Sequence, residues 1–146
     1  MAFTGNFLCT SFKVALLNGE MDFSSDTSQT FKIALYTNSA SFDASTTAYT
    51  TTNEISGTGY TAGGNTLTIA TNPTSDTGGT VAYLDFSDTT WTSATITARG
   101  ALIYKSGGTN PAIAVLDFGA DKSTISGTFK VEFPVSNATT AILRIA

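Results

Sequence analysis

The chain has 146 residues, of which 41 % are hydrophobic and 12 % charged, with seven Lys and Arg, eleven Asp and Glu, one Cys and no His. The basic residues are scattered, which argues against direct nucleic-acid binding, and the hydrophobic content argues against intrinsic disorder. Without His, the usual general base and metal ligand are absent, so we expect a structural or binding protein and no enzyme, cofactor or metal site.

The N-terminal residues resemble no secretory signal, and no stretch approaches the roughly 20 apolar residues that a membrane helix needs. We therefore expect a protein made in the cytoplasm that has no membrane partner. Cys9 has no second cysteine to pair with inside the chain. We interpret it as a small buried hydrophobic residue, with an intermolecular disulfide as the alternative.

Residues 10–18 are predicted to form a short helix, capped at its N-terminus by Thr10 or Ser11 and ended by Asn18-Gly19. Phe12 and Leu16 then share one face, together with Ala15. We expect this helix to cover one end of a barrel or sandwich, or alternatively to be an arm that reaches a neighbouring subunit.

The rest of the chain alternates Thr-rich apolar segments with Gly, Asn, Asp and Ser. Residues 38–64 form a long irregular segment of the kind that often contacts partners. Gly100 indicates a bulge inside the longest strand, and Asn72-Pro73 indicates a turn. Strands are predicted at residues 30–37, 66–70, 81–86, 89–92, 94–105, 112–118, 128–133 and 141–145.

About eight strands spaced 8–14 residues apart predict an all-β fold, a β-sandwich or jelly-roll-like barrel with one short N-terminal helix. We expect a single domain over residues 1–146, in which residues 1–20 form an N-terminal arm and helix and residues 29–146 the sandwich.

Two kinds of side chain could carry a site. The acidic pairs Asp85 with Asp88 and Asp117 with Asp121 follow predicted strands, where turn chemistry is the favoured interpretation and a calcium site or glycosidase pair the alternative. Trp91 and the five tyrosines are expected in the core or at a subunit interface, with sugar stacking as the alternative.

The amino-acid sequences of several segments resemble those of a family of small virion proteins of tailed bacteriophages. The similar segments are residues 1–7, 9–13, 31–37, 56–64, 96–104, 114–119 and 141–144. This resemblance implies a virion component, with a capsid decoration (cement) protein as the favoured role and the major capsid protein or other virion proteins as partners. Decoration proteins commonly form trimers, so the resemblance also implies a homo-oligomer. It carries over no catalytic residue.

We expect contacts to partners from the N-terminal segment, the 38–64 loop and a strand arginine. The candidate interface residues are Phe3, Phe7, Leu8, Phe12, Ile55, Tyr60 and Arg144. Two alternatives remain: a tail, neck or fibre component, and a host-surface carbohydrate-binding module. Exposed aromatic side chains around a groove would favour the carbohydrate module.

Overall fold

Residues 3–146 are described by a computed structural model, and they form eight strands and one helix. The helix α1 spans Thr10–Leu17. The strands are β1 (Phe7–Leu8), β2 (Thr30–Tyr36), β3 (Asn65–Leu67), β4 (Ile69–Ser75), β5 (Ala82–Phe86), β6 (Thr89–Ser106), β7 (Ala112–Val131) and β8 (Leu143–Ile145).

Two antiparallel sheets hold these strands. The larger has the order β1-β7-β6-β2-β3, and the smaller has the order β4-β5-β8. This is the predicted all-β, sandwich-like arrangement. The alternative of a barrel is wrong, because each sheet keeps two separate edges and neither closes on itself.

A long hairpin of β6 and β7 dominates the larger sheet. Its pairing runs from Thr89 opposite Val131 to Tyr104 opposite Ala112. Inward-facing Trp91, Ile96 and Leu102 are buried, as the period-two pattern of a half-buried strand requires. The hairpin therefore forms the framework on which the other elements pack.

The breaks predicted at residue 93 and over residues 119–127 are bulges rather than turns, so four predicted strands are in fact two. Ser93 and Ser126 each take a positive φ of 49°, and the register shifts beside both residues. A bulge absorbs an extra residue while pairing resumes beyond it. The bulge predicted at Gly100 is confirmed, because the register shifts between Ala98 and Gly100. A side chain would not fit at this position, since a Cβ there would lie 2.5 Å from the Leu116 carbonyl oxygen.

The predicted turn at Asn72-Pro73 is also wrong, since both residues lie inside β4. Proline is tolerated there because β4 is an edge strand, so its missing N–H removes no ladder bond from the interior of the sheet. The register between β4 and β5 shifts on both sides of Thr71. Irregular pairing of this kind accommodates a proline, which has no backbone N–H to donate to a neighbouring strand.

The predicted N-cap of α1, Thr10 or Ser11, is wrong, because the cap lies before Thr10. Cys9 is the N-cap and makes no side-chain capping bond, while the Ser11 hydroxyl donates to the Thr46 carbonyl and so fixes the helix to the 38–64 loop. The predicted end is confirmed, with Asn18 as C-cap and Gly19 at a φ of +72°.

One continuous core joins the N-terminal segment to both sheets. Phe3 packs edge-on against Phe42, with ring centroids 5.8 Å apart, and Phe12 packs in the same manner on Phe23 at 6.0 Å. The apolar residues of the N-terminal segment thus pack on their own chain. This packing agrees with the predicted helix that covers one end of the sandwich.

Candidate interaction surfaces

An apolar groove lies between α1 and the smaller sheet, and we call it the α1–β8 groove. It has a volume of about 500 Å³. Leu84 and Leu143 form its floor, paired across β5 and β8, and Phe12 and Leu16 of α1 form one wall. Its lining is mainly hydrophobic, which is typical of surfaces that bind another apolar group.

The alternation of side chains along β5 and β8 explains why this groove stays open. Ala82 and Ile145 lie opposite each other in the register and continue the inner face of the smaller sheet beyond Leu84 and Leu143. The two leucines are buried, whereas Ile145 remains 54 % exposed. The groove is therefore the end of the sandwich interior that the chain leaves uncovered.

A second, smaller groove of about 260 Å³ lies between the edge of the larger sheet and the segment that leads into β8. Phe7 and Leu8 of β1 line one side, and Ile142 and Arg144 line the other. Because Leu8 and Arg144 line both grooves, the two concavities meet where the edge strands β1 and β8 approach each other.

The structure brings four of the seven candidate interface residues to this corner: Phe7, Leu8, Phe12 and Arg144. It places Phe3 and Ile55 in the core, where they are buried against their own chain. Phe12 is also largely buried and presents only one side to the groove. Tyr60 lies apart from these residues, in a hydrogen-bond cluster around Glu54.

That cluster fixes the 38–64 loop to the larger sheet. The Tyr49 hydroxyl donates to Glu54 Oε2, and the Tyr60 hydroxyl and the Gly63 N–H donate to Glu54 Oε1, each at 2.7 Å. Burial, followed by hydrogen bonding to Glu54, raises the pKa of Tyr49 and Tyr60 above the usual range. These hydroxyls hold their protons, so the arrangement anchors the loop rather than supplying an acid or a nucleophile.

Several other titratable groups are buried or paired inside the fold. Burial, with a smaller increase from the Asp43 charge and an opposing contribution from Lys13, raises the pKa of Cys9 to about 11. Asp117 pairs with Arg99 and accepts the Gly119 N–H, while Asp88 accepts the Phe133 N–H and pairs with Lys130. Over residues 3–146, no group of three His, Cys, Asp or Glu side chains could hold a metal ion.

The two acidic pairs differ from the predicted strand-end turns in one respect. Asp85 lies near the end of β5 and Asp88 in the short connection to β6, but Asp117 and Asp121 lie inside β7, around its largest register shift. Asp121 accepts a hydrogen bond from the Asn38 amide at 3.0 Å. The pair therefore stabilises a bulge and its neighbouring loop.

The outer edge of β7 is a further candidate surface, because most of it is not paired with another strand. One edge of β7 pairs with β6, whereas β1 pairs with the other edge only at Ala114 and Val115. Beyond Asp117 that edge has no strand neighbour among the described residues, and Ile125 on it is 82 % exposed. An uncovered edge of this length is a template for contact with another chain.

Sequence reasoning missed three residues of these surfaces: Val14, Leu17 and Asp22. Val14 and Leu17 lie on the outer face of α1, opposite Phe12 and Leu16, and are 53 % and 89 % exposed. Asp22 lines the α1–β8 groove. The signal for the first two was present in the sequence, since the segment TSFKVALL places apolar residues on both faces of its helix.

The comparisons with known proteins add no relative: no family model matches the chain, and neither a curated protein nor a solved structure is similar to it. None of the helices within residues 3–146 has the length and apolar character needed to cross a bilayer.

Proposed function

We propose that this protein is a structural component of a tailed-bacteriophage virion, and specifically a capsid decoration protein that binds the outer shell through protein–protein contacts. The observation that carries the proposal is the uncovered edge of β7, set on a β scaffold in which Glu54, Asp88 and Asp117 make internal hydrogen bonds or ion pairs. The resemblance of seven segments to small phage virion proteins supports the same role.

A decoration protein stabilises a shell by burying surface across capsid subunits after the shell has formed. The β7 edge suits this task, because small polar side chains dominate it and Ile125 supplies one exposed apolar contact. Its bulges at Gly119 and Ser126 interrupt a continuous ladder, which limits uncontrolled edge-to-edge pairing before the shell is met.

A carbohydrate-binding role has less support from the geometry. Sugar stacking needs an aromatic ring whose face is open to solvent, but Trp91 is buried and every Phe and Tyr side chain is buried or half-buried. Trp91 packs on Tyr60 and Phe129, with ring centroids 6.0 and 6.1 Å away, and so belongs to the core.

The experiment mixes purified protein with undecorated capsids, and separately with tails, of the phage that encodes it. Sedimentation and electron microscopy measure the copy number and position, and a heat challenge measures shell resistance. We expect binding at many regular shell sites and a more heat-resistant shell. Binding in a few copies at the tail or neck, saturable binding to a host glycan alone, or no binding would contradict the decoration role.

Variants test the β7 edge within the same assay. Ile125→Asp places a charge at the proposed contact and should weaken shell binding by roughly tenfold or more. Val135→Asp is the matched control, because Val135 is also an exposed aliphatic residue but lies outside β7. Equal binding by both variants and the unaltered protein would remove β7 from the contact.

A further inference from the structure

The helix α1 is apolar on both sides, although its own chain buries only one of them. Phe12 and Ala15 pack into the core, while Val14 and Leu17 project from the opposite face into solvent. A helix that is apolar all round is typically buried on both sides. With Leu17 89 % exposed, the outer face of α1 is the most exposed apolar feature of the described chain.

The α1–β8 groove has the complementary shape. It is concave, apolar and about 500 Å³ in volume, which accommodates a leucine and a valine side chain together. Two residues spaced three apart on a helix, such as Val14 and Leu17, are the usual anchors of a helix that binds in an apolar groove. The convex surface and the groove therefore match in size and in chemistry.

The charges beside the two surfaces include one complementary pair, Lys13 and Asp22, and Arg144 is the other charged residue that lines the groove. Lys13 lies one turn before Leu17 on the exposed side of α1, and Asp22 lies on the rim of the groove. Hydrogen bonds from the Ser24 hydroxyl and N–H hold the Asp22 carboxylate in place, at 2.6 and 2.9 Å. The ion pairs of residues 3–146 join Arg99 to Asp117 and Lys130 to Asp88 and Glu132, so Lys13 and Asp22 have no opposite charge within 4 Å there.

We propose that the outer face of α1 of one copy of this chain binds in the α1–β8 groove of a second copy, with Leu17 as the apolar anchor and Lys13 paired with Asp22 across the contact. The helix surface and the groove lie on opposite sides of α1, so one contact leaves a free helix face on one copy and a free groove on the other. Such a head-to-tail interface ends only when it closes into a ring. The ring forms without a capsid, and it goes beyond the role proposed above.

The first test determines the assembly of the full chain by sedimentation equilibrium and native mass spectrometry over a range of concentrations. We expect a closed ring of three or more copies. Leu17→Gln removes the anchor and Ile145→Asp places a charge in the groove, so each variant should be monomeric. Val135→Gln, at an exposed aliphatic residue outside β7 and outside the α1–β8 groove, is the matched control and should assemble normally.

A mixture of the two monomeric variants gives a sharper result. The Leu17→Gln chain keeps an intact groove, and the Ile145→Asp chain keeps an intact helix face, so together they can form one interface and no more. We expect a 1:1 heterodimer that does not grow into a ring. A mixture that stays monomeric while the unaltered protein forms a ring would show that the two surfaces do not meet, and would overturn the proposal.

Charge reversal tests the pairing of Lys13 with Asp22. Lys13→Glu and Asp22→Lys should each weaken assembly by roughly tenfold, and the two changes combined in one chain should restore it. Lys122→Glu makes the same charge change on an exposed lysine of β7 and should have no effect. An unaltered protein that is monomeric at every concentration, or a ring that both single reversals leave intact, would contradict the proposal.

Discussion

The Tyr60 hydroxyl connects the 38–64 loop to the larger sheet by donating to Glu54 Oε1 at 2.7 Å and accepting the Leu35 N–H at 3.0 Å. Leu35 lies in β2 and is fully buried, so this hydroxyl satisfies a backbone donor that water cannot reach. Gly63 and Tyr49 complete the set of donors around Glu54. One carboxylate thus positions much of a long loop that has little regular structure of its own.

Tyr60→Phe should destabilise the protein by about 1–3 kcal/mol, because it leaves the Leu35 N–H without a partner in a partly buried site and removes one of the two donors to Glu54 Oε1. The free energy of unfolding, measured in urea, checks this value. Tyr83→Phe is the control, since the Tyr83 hydroxyl makes no hydrogen bond within the described residues and its removal should change stability little. Equal effects of the two variants would show that the cluster does not stabilise the loop.

Gly64→Ala should destabilise by more than about 1 kcal/mol for two reasons that can be separated. Gly64 has a φ of +71°, and a Cβ there would lie 1.8 Å from the Ile33 carbonyl oxygen. Gly79 has a similar φ of +68° but no atom within 4 Å of its Cβ position. Gly79→Ala should therefore show only the backbone cost of about 1 kcal/mol, and thermal or urea unfolding of both variants measures the difference. A Gly64→Ala variant no less stable than Gly79→Ala would contradict the close approach of the loop to β2.

The fold class follows from the sequence because alternation and turn residues are local signals. The strands β2 and β5 and the helix α1 lie within a residue or two of their predicted bounds. The long strands could not be predicted whole, since Ser93 and Gly119 read as turn residues until pairing with a partner strand shows that they are bulges. Pro73 in β4 is a similar case, in which an edge position overrides the local preference.

The candidate surfaces were predictable only in part. Apolar residues near the N-terminus pointed to Phe7 and Leu8, which do lie beside the grooves. Sequence cannot tell which of Phe3, Phe12 and Ile55 their own chain will cover, because that depends on long-range packing such as Phe3 on Phe42. The role of Glu54 was missed for the same reason: its partners Tyr49, Tyr60 and Gly63 meet it only through the course of the loop.

Asp85→Asn should stabilise the protein at pH 7. Burial raises the pKa of Asp85, with a further increase from Asp88, against an opposing hydrogen bond from the Phe86 N–H. A carboxyl whose folded pKa lies above its unfolded value destabilises the fold when ionised, and this cost disappears as the pH falls through the folded pKa. The advantage of Asp85→Asn should therefore be fully present at pH 7 and shrink as the pH falls through the folded pKa towards the ordinary value of 3.8.

Urea unfolding of the Asp85→Asn variant and the unaltered protein at a series of pH values measures this difference. The Asn amide oxygen can still accept the Phe86 N–H, so the change removes the charge and keeps the hydrogen bond. Asp76→Asn is the opposite control, because backbone hydrogen bonds from Val81 and Thr80 lower the pKa of Asp76 and its ionised form is favoured. A pH-independent difference at Asp85 would contradict the raised pKa.

Cys9 should be inert towards thiol reagents in the folded protein. It has no exposed surface, its N–H donates to the Ile113 carbonyl at 2.9 Å, and burial raises the pKa of its thiol to about 11. The thiolate is the reactive form, so at pH 8 the Cys9 side chain of the native protein is inaccessible to the reagent and almost entirely protonated. Labelling with an aromatic disulfide should therefore proceed only as fast as the protein opens, and it should become rapid in guanidinium chloride.

A cysteine placed at Ser126 in a Cys9→Ala background provides the matched control, because Ser126 is exposed on the β7 bulge. That variant should react in buffer alone, without denaturant, at a rate that follows the ionisation of an ordinary thiol. Fast labelling of Cys9 in the unaltered, folded protein would show that the junction of β1 and α1 opens readily. The α1–β8 groove would then lack the rigid wall that its geometry implies.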